Sequence, residues 1–159
     1  MPKDQRGQIA IYVFSVAVLV LIADRVSKLI VSHILVQGQS LKIFPNIFHL
    51  TLVLNKGAAF GFFKDQRAFF IAVAMLAVTV IIIYIFKGDG RGRYMFLPLG
   101  LIMGGAIGNL IDRVRFGCVI DFLDFRIWPV FNIADSCITI GMAILAMDLL
   151  LSKNAKVKR

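Results

Sequence analysis

Long uncharged stretches alternate with short polar segments along this chain. Three segments of 18 to 22 residues are almost free of charge, and a fourth, near the N-terminus, is apolar on both sides of a short polar interruption. About 20 helical residues cross a hydrocarbon core of about 30 Å. We therefore predict four transmembrane helices, over about residues 9–35, 68–86, 94–112 and 130–151.

The polar interruption in the first segment is spaced for a continuing helix. Asp24 and Lys28 are four residues apart and so lie on one helical face. The alternative is a cleaved signal peptide, since Lys3 and Arg6 precede a 15-residue apolar run. A cleavage-site turn would not need the spacing of Asp24 and Lys28, which favours a retained helix.

Residues 38–67, between the first two spans, show a strand pattern. Apolar and polar side chains alternate from Phe48 to Leu54, as in a strand with one buried face. Leu41 and Ile43 supply a partner strand across Pro45. We predict a small amphipathic β-sheet resting on the outer leaflet. The small residues of 55–61 follow this sheet. They suit either a structured surface loop or a segment that contacts substrate.

The third span carries Gly100, Gly104 and Gly108 at four-residue intervals. Such spacing lets another helix pack closely in lipid. Gly105 and Asn109 extend along the adjacent face. We therefore expect this helix to be central in the bundle.

Composition and charge restrict the class of protein. The chain has 159 residues, 59% of them hydrophobic, so we expect residues 1–159 to form a single integral membrane domain with no room for a large soluble one. The net charge is +9, yet nine of the 18 basic residues lie in short segments that would be cytoplasmic with both termini inside. We therefore expect the basic residues to orient the chain in the membrane and to contact anionic lipid, and we expect no nucleic-acid partner.

Metal and cofactor chemistry is not indicated. Cys118 and Cys137 have no metal-ligand spacing, His33 and His49 are isolated, and no zinc-peptidase motif occurs. We expect ordinary small apolar cysteine side chains, with a disulfide as the less favoured alternative, and no metal and no cofactor.

All nine acidic residues are aspartates, so acid–base chemistry falls to Asp. Four of them lie at or near the predicted outer face: Asp112, Asp121, Asp124 and Asp135. Two facing carboxylates that share one proton can activate water and polarise a peptide carbonyl. Asp121 and Asp135 can converge across a 14-residue connection, but position alone does not choose this pair.

The other outer aspartates fit different roles. Asp112 suits a structural ion pair or a helix-end interaction, and Asp124, three residues after Asp121, could face solvent. Asn132 and Asp135 are three residues apart and share a helical face. Asp148 lies roughly 20 Å from Asp135 along the helix and suits the opposite interface.

Three function classes remain at this point. An intramembrane aspartyl peptidase fits the clustered carboxylates best. A proton-coupled transporter would favour carboxylates strung across the bilayer. A non-catalytic assembly protein would rely on the glycine face alone.

Several linked motifs identify a family. The chain resembles lipoprotein signal peptidase (signal peptidase II) over essentially its whole length. The matching segments are Asp24 to Lys28, Asn55 to Gly61, Gly104 to Arg113, Val119 to Phe122 and Phe131 to Asp135. The resemblance implies four transmembrane helices, cytoplasmic termini and a small extracytoplasmic β-sheet element in the bacterial cytoplasmic membrane.

The resemblance also implies roles for individual residues. Asp121 and Asp135 would form the catalytic dyad. Five residues would line or brace the substrate site: Asn55, Gly57, Asn109, Arg113 and Asn132. Five others would support the structure: Asp24, Lys28, Gly105, Asp112 and Ala134.

Substrates and inhibitors follow from the same resemblance. The family cuts prolipoprotein signal peptides just before a cysteine that carries diacylglycerol, and globomycin-type cyclic peptides inhibit it. The stretch 123–130 looks short for the family, which alters loop contacts or substrate access. We expect the outer sheet to cover a lateral opening through which the signal helix enters from the lipid.

Overall fold

The computed structural model describes residues 3–57, 66–87 and 95–157. Its helices are α1 (Lys3–Ile34), α2 (Arg67–Lys87), α3 (Phe96–Phe116) and α4 (Ile133–Val157). Its strands are β1 (Ser40–Phe44), β2 (Phe48–Asn55) and β3 (Val119–Asp124). Part of the small-residue segment 55–61 and most of the basic segment 87–93 fall outside the described residues.

Each of the four helices contains a segment long and apolar enough to cross a membrane. The predicted four-helix architecture is therefore confirmed. The boundaries of α3 differ from the prediction, because this helix continues to Phe116 rather than ending near 112. It stops at Gly117, whose φ of 73° suits glycine and whose N–H bonds to the Arg113 carbonyl at 3.1 Å. Asp112 thus lies inside the helix and not at its end.

Helix α3 is the centre of the bundle and packs against the other three helices. A Cβ on Gly104 would lie 2.6 Å from the carbonyl oxygen of Ala17 in α1, and one on Gly100 would lie 2.6 Å from the Val16 Cβ. Only glycine permits this approach of α1 to α3. The predicted close-packing glycine face is confirmed.

The strands form one antiparallel sheet in the order β1-β2-β3. The predicted pairing of β1 with β2 is confirmed. The third strand was not predicted: Val119–Asp124 was interpreted only as part of an outer connection. Leu52 of β2 and Phe122 of β3 pack with Val31 and Leu35 at the end of α1. The sheet is thereby fixed to the end of the bundle where α1 and α3 present their polar residues.

Candidate active site

Asp121 lies on β3, with only 1% of its surface exposed. Its Oδ2 accepts a hydrogen bond of 2.9 Å from the Asn55 side-chain amide, and its Oδ1 accepts one of 2.7 Å from the Asn132 amide. Both oxygens of this buried carboxylate therefore have donors, which limits the cost of burying it.

A register shift in the sheet brings Asn55 and Asp121 together. Leu50 pairs with Leu123, whereas Val53 pairs with Asp121, so β2 has one extra residue in this interval. Because strand side chains alternate between faces, the extra residue turns Asn55 onto the face that Asp121 occupies. Without it the two side chains would point to opposite faces.

The orientation of the Asn55 amide is set locally. The backbone N–H of Gly57 donates to Asn55 Oδ1 at 2.9 Å. The amide oxygen is therefore occupied, and the NH2 group faces Asp121.

Asp135 lies in the first turn of α4, where Asn132 is the N-terminal cap. Asn132 Oδ1 accepts the backbone N–H of Asp135 at 2.9 Å, and the Asn132 N–H points back to Asp135 Oδ2 at 3.4 Å. This reciprocal arrangement is a capping box built from Asn and Asp. It confirms that the two residues are neighbours on one helical turn.

Asn109 connects the two asparagine–aspartate pairs. Its NH2 group donates to Asp135 Oδ1 at 2.7 Å. Its Oδ1 accepts from Asn132 at 3.1 Å and from the Lys28 ammonium at 3.2 Å. The donors that Asn109 receives fix its amide so that the NH2 group faces the carboxylate.

Asp121 and Asp135 face one cavity of about 700 Å³. Asn55, Gly57 and Arg113, which the resemblance assigns to the substrate site, also line it. Asn109 and Asn132 lie behind the carboxylates and brace them. The remaining wall was not predicted and consists of Val119, Phe125, Ile127, Trp128, Pro129, Val130, Phe131, Ser136, Thr139 and Ile140.

The missed wall is largely apolar and comes from the β3–α4 connection and from α4. Ile127 is 93% exposed and Trp128 is 60% exposed. Phe125 packs against the rings of Phe48 and Phe131, with centroids 4.9 and 5.9 Å away. The one signal in the sequence for this wall is that residues 123–130 form a short connection for the family. A short connection does not by itself show that these residues border the site.

The environment raises the pKa of Asp121 from 3.8 to about 7. Burial is the largest cause, because it disfavours the charged form, and the nearby charge of Asp135 adds to it. Hydrogen bonds from Asn55 and Asn132 oppose the rise without cancelling it. A carboxyl group with this pKa can hold or release a proton near neutral pH.

A buried ion network lies directly behind the site. Lys28 contacts Asp24 Oδ1 at 3.0 Å and Asp112 Oδ2 at 2.7 Å, and Arg25 bonds to each of the same carboxylates at 2.6 Å. Two cations and two anions balance, which makes burial of Asp24, Lys28 and Asp112 tolerable. The prediction of a structural ion pair for Asp112 is confirmed, although its partners lie on α1 rather than beside it.

Sequence reasoning missed Arg25, because its bond to Asp112 spans 87 positions. The network reaches α4 as well, since Asp24 Oδ1 accepts the Ala134 N–H at 3.2 Å. A Cβ on Gly105 would lie 2.5 Å from the Ala134 carbonyl oxygen. Gly105 and Ala134 thus lie where α3 and α4 approach each other most closely.

The expectation that Asp124 faces solvent is wrong. This residue is 4% exposed and accepts hydrogen bonds from the Thr51 hydroxyl at 2.7 Å and from Arg126 at 3.0 Å. Burial alone would raise the pKa of Asp124, but these donors lower it below its ordinary value. Asp124 belongs to the sheet and does not line the cavity.

Cys118 and Cys137 are free thiols. Among the described residues, no group of three or more His, Cys, Asp or Glu side chains could hold a metal ion.

Comparison with known proteins gives a consistent result. The sequence profile of the family described as signal peptidase (SPase) II matches residues 16–151. A lipoprotein signal peptidase of Halothermothrix orenii is 47% identical over 137 residues, covering 86% of this chain and 94% of that protein. One from Pelotomaculum thermopropionicum is 40% identical over 148 residues, covering 93% and 97%. A solved bacterial membrane enzyme superposes with a TM-score of 0.85 at 33% identity, covering 91% of this chain and 90% of its own.

Proposed function

This chain belongs to the signal peptidase II family of aspartic-type membrane peptidases, and we propose that Asp121 and Asp135 are its catalytic dyad. Removal of signal peptides from prolipoproteins is the activity that its relatives' names support. The observation that carries the proposal is the convergence of two carboxylates, from β3 and α4, on one cavity through the shared residue Asn132.

The two carboxylates would act as a pair that shares one proton. Like charges in a buried site cannot both ionise readily, so the pair keeps a proton into the neutral range. In the proposed reaction the ionised carboxylate takes a proton from water, and the resulting hydroxide attacks the peptide carbonyl carbon. The protonated carboxyl group hydrogen-bonds the carbonyl oxygen, and a proton then passes to the leaving nitrogen as the C–N bond breaks.

The surroundings of the dyad support this chemistry. Asn55, Asn109 and Asn132 hold the carboxylates by amide N–H donors, which orient each group without supplying a full positive charge. The ion network behind them is internally balanced. The dyad can therefore change its protonation state without breaking a direct salt bridge.

The cavity wall supports an apolar peptide substrate. Its polar end is formed by Asn55, Gly57 and Arg113, which can bind a peptide backbone, and its other wall is apolar. The proposed cut lies just before the cysteine that carries diacylglycerol, with the signal helix in the bilayer beside the enzyme. The proposed location is the bacterial inner membrane, with cytoplasmic termini and the dyad near the outer face, and no nucleic-acid partner is proposed.

Substitution of the dyad tests the proposal directly. The Asp121→Asn and Asp135→Asn variants should each lose at least about 10²–10⁴-fold in kcat while inserting normally, because each lacks one acid–base group. The assay is cleavage of a purified diacylglyceryl precursor by purified enzyme, read by mass spectrometry of the new N-terminus. Near-normal turnover by either variant would falsify its assignment.

Asp124→Asn is the matched control. It removes a buried carboxylate from the same strand, yet that carboxylate lies outside the cavity, so cleavage should continue. Globomycin added to the wild-type reaction should block cleavage, and a precursor without the lipid should be a poor substrate. Equal cleavage of lipidated and unlipidated precursors would contradict the proposed substrate.

A further inference from the structure

The guanidinium of Arg113 lies over the ring of Phe70, with its Cζ atom 4.7 Å from the ring centroid. Arg113 is in the last turn of α3, and Phe70 is in the first turn of α2. A cation within about 6 Å of a ring centroid is attracted by the negative face of the ring. A guanidinium held by its face keeps its in-plane N–H donors available for other partners.

Those donors are unused within the described residues. Arg113 lines the cavity and lies close enough to Asp121 and Asp135 to interact electrostatically with both. Nevertheless its guanidinium forms no hydrogen bond or ion pair with any side chain in the described part of the protein. A flexible cation beside two carboxylates gains from bonding directly to one of them, so its separation from them requires another attachment. Phe70 provides that attachment.

The Phe70 ring is itself held in place relative to Arg113. Arg67, at the start of α2, donates from its Nη2 to the carbonyl oxygen of Val114 at 2.7 Å. Val114 directly follows Arg113 in α3. The ring of Phe69 meets that of Phe70 edge-on, with centroids 5.4 Å apart. The first turn of α2 is thus attached to the last turn of α3, which sets the position of the ring under the guanidinium.

We propose that Phe70 is a positioning residue for peptide binding. It holds the Arg113 guanidinium at the cavity wall, away from the dyad, so that the in-plane N–H groups face a carbonyl oxygen of the bound peptide. This inference rests on the proposed function, which supplies the peptide. A contact made equally in the bound and transition states affects KM, so loss of the ring should raise KM and leave kcat unchanged.

The first test compares three purified variants. Phe70→Leu should raise KM about 3- to 30-fold, the range expected for a cation–π contact, whereas Phe70→Tyr retains a ring face and should keep the wild-type KM. Phe86→Leu is the matched control, because it makes the same change at the other end of α2, where the side chain is 51% exposed. It should leave both constants unchanged.

The second test alters only the electronics of the ring. Replacing Phe70 by phenylalanines with increasing numbers of ring fluorines keeps the shape and weakens the negative face of the ring. The KM should rise stepwise with the number of fluorines, while the unfolding temperature stays constant. This series remains informative if Phe70→Leu does not fold.

A third measurement tests whether Phe70 acts through Arg113. In an Arg113→Ala background, Phe70→Leu should raise KM no further, because the contact is already gone. A KM that is flat across the fluorinated series, or an undiminished effect of Phe70→Leu without Arg113, would overturn the inference. These results are separable from the dyad assignment. If Asp121→Asn is inactive but substitution of Phe70 leaves KM unchanged, only the role of Phe70 is ruled out.

Discussion

Asn132 donates a hydrogen bond of 2.7 Å to Asp121, eleven residues before it in the sequence. The same side chain accepts the backbone N–H of Asp135 and thereby begins α4. One asparagine thus has two separable roles, as a donor to one carboxylate and as the cap of the helix that carries the other. The geometry of the proposed dyad depends on the start of α4.

Substitutions at Asn132 should separate these roles. Asn132→Ala loses both, so it should be about 1 kcal/mol less stable than a variant that keeps the cap alone, the usual cost of a lost cap, and it should also cleave poorly. Asn132→Ser can still cap the helix but cannot supply the amide donor to Asp121 and Asn109, so it should be less stable than the wild type, more stable than Asn132→Ala, and cleave poorly. Thermal unfolding in detergent and the precursor assay measure the two effects. Equal stability of the Ala and Ser variants would contradict the capping role.

The pH dependence should report the raised pKa of Asp121. Because this pKa is about 7, cleavage should fall about tenfold per pH unit above neutrality as the shared proton is lost. Asn55→Ala removes a donor that lowers the pKa of Asp121, so the alkaline limb should move to higher pH. A limb that stays in place in this variant, measured as log kcat against pH, would argue against Asp121 as the titrating group. Asp124→Asn should leave the limb unmoved.

The same pKa has a consequence for stability. The folded protein binds the Asp121 proton more tightly than the unfolded chain, whose carboxyl has the ordinary value of 3.8. The stabilising contribution of this proton is complete below pH 3.8 and is lost as pH rises to about 7. Asp121→Asn should therefore show a smaller decrease of unfolding temperature over this interval than the wild type.

Removal of Lys28 should be costly. Lys28→Met keeps much of the side-chain volume but leaves the buried carboxylates of Asp24 and Asp112 with only Arg25 to balance them. Breaking a buried ion cluster from one side costs about 3–5 kcal/mol. Thermal unfolding should show the loss, and adding Asp24→Asn should recover part of it by restoring the charge balance. No recovery in the double variant would mean that charge balance is not the cause.

The close approach of α1 to α3 at Gly104 can be tested by substitution. A Cβ there would lie 2.6 Å from the Ala17 carbonyl oxygen, so Gly104→Ala should destabilise the bundle by about 1–3 kcal/mol. Gly7→Ala is the matched control, because a Cβ on Gly7 meets nothing within 4 Å. It should be neutral or stabilise α1 by up to about 1 kcal/mol, since alanine favours helices. Equal unfolding temperatures for the two variants would contradict the close contact between α1 and α3.

Local patterns accounted for much of the fold. The four helices followed from the lengths of apolar runs, and the β1–β2 hairpin followed from alternation around Leu50. Strand β3 was missed for two physical reasons. Its segment Val119–Asp124 includes two aspartates and no regular alternation, and its partner β2 lies more than 60 residues earlier in the chain. The role of Asp124 was misjudged for the second of these reasons, since its donor Thr51 lies 73 residues away and reaches Asp124 only once β2 pairs with β3.

The four apolar helices, the glycine face of α3 and the adjacency of Asn132 and Asp135 all follow from local sequence patterns. Each of these depends on residues within a few turns of one another, where bilayer thickness and helical period leave little choice. Which polar groups meet is instead set by the three-dimensional packing of the chain. The bond from Arg25 to Asp112 and the alignment of Asn55 with Asp121 join distant segments, and the latter also needs a one-residue shift in strand register. Such pairings depend on how helices and strands pack as a whole, which no local pattern encodes.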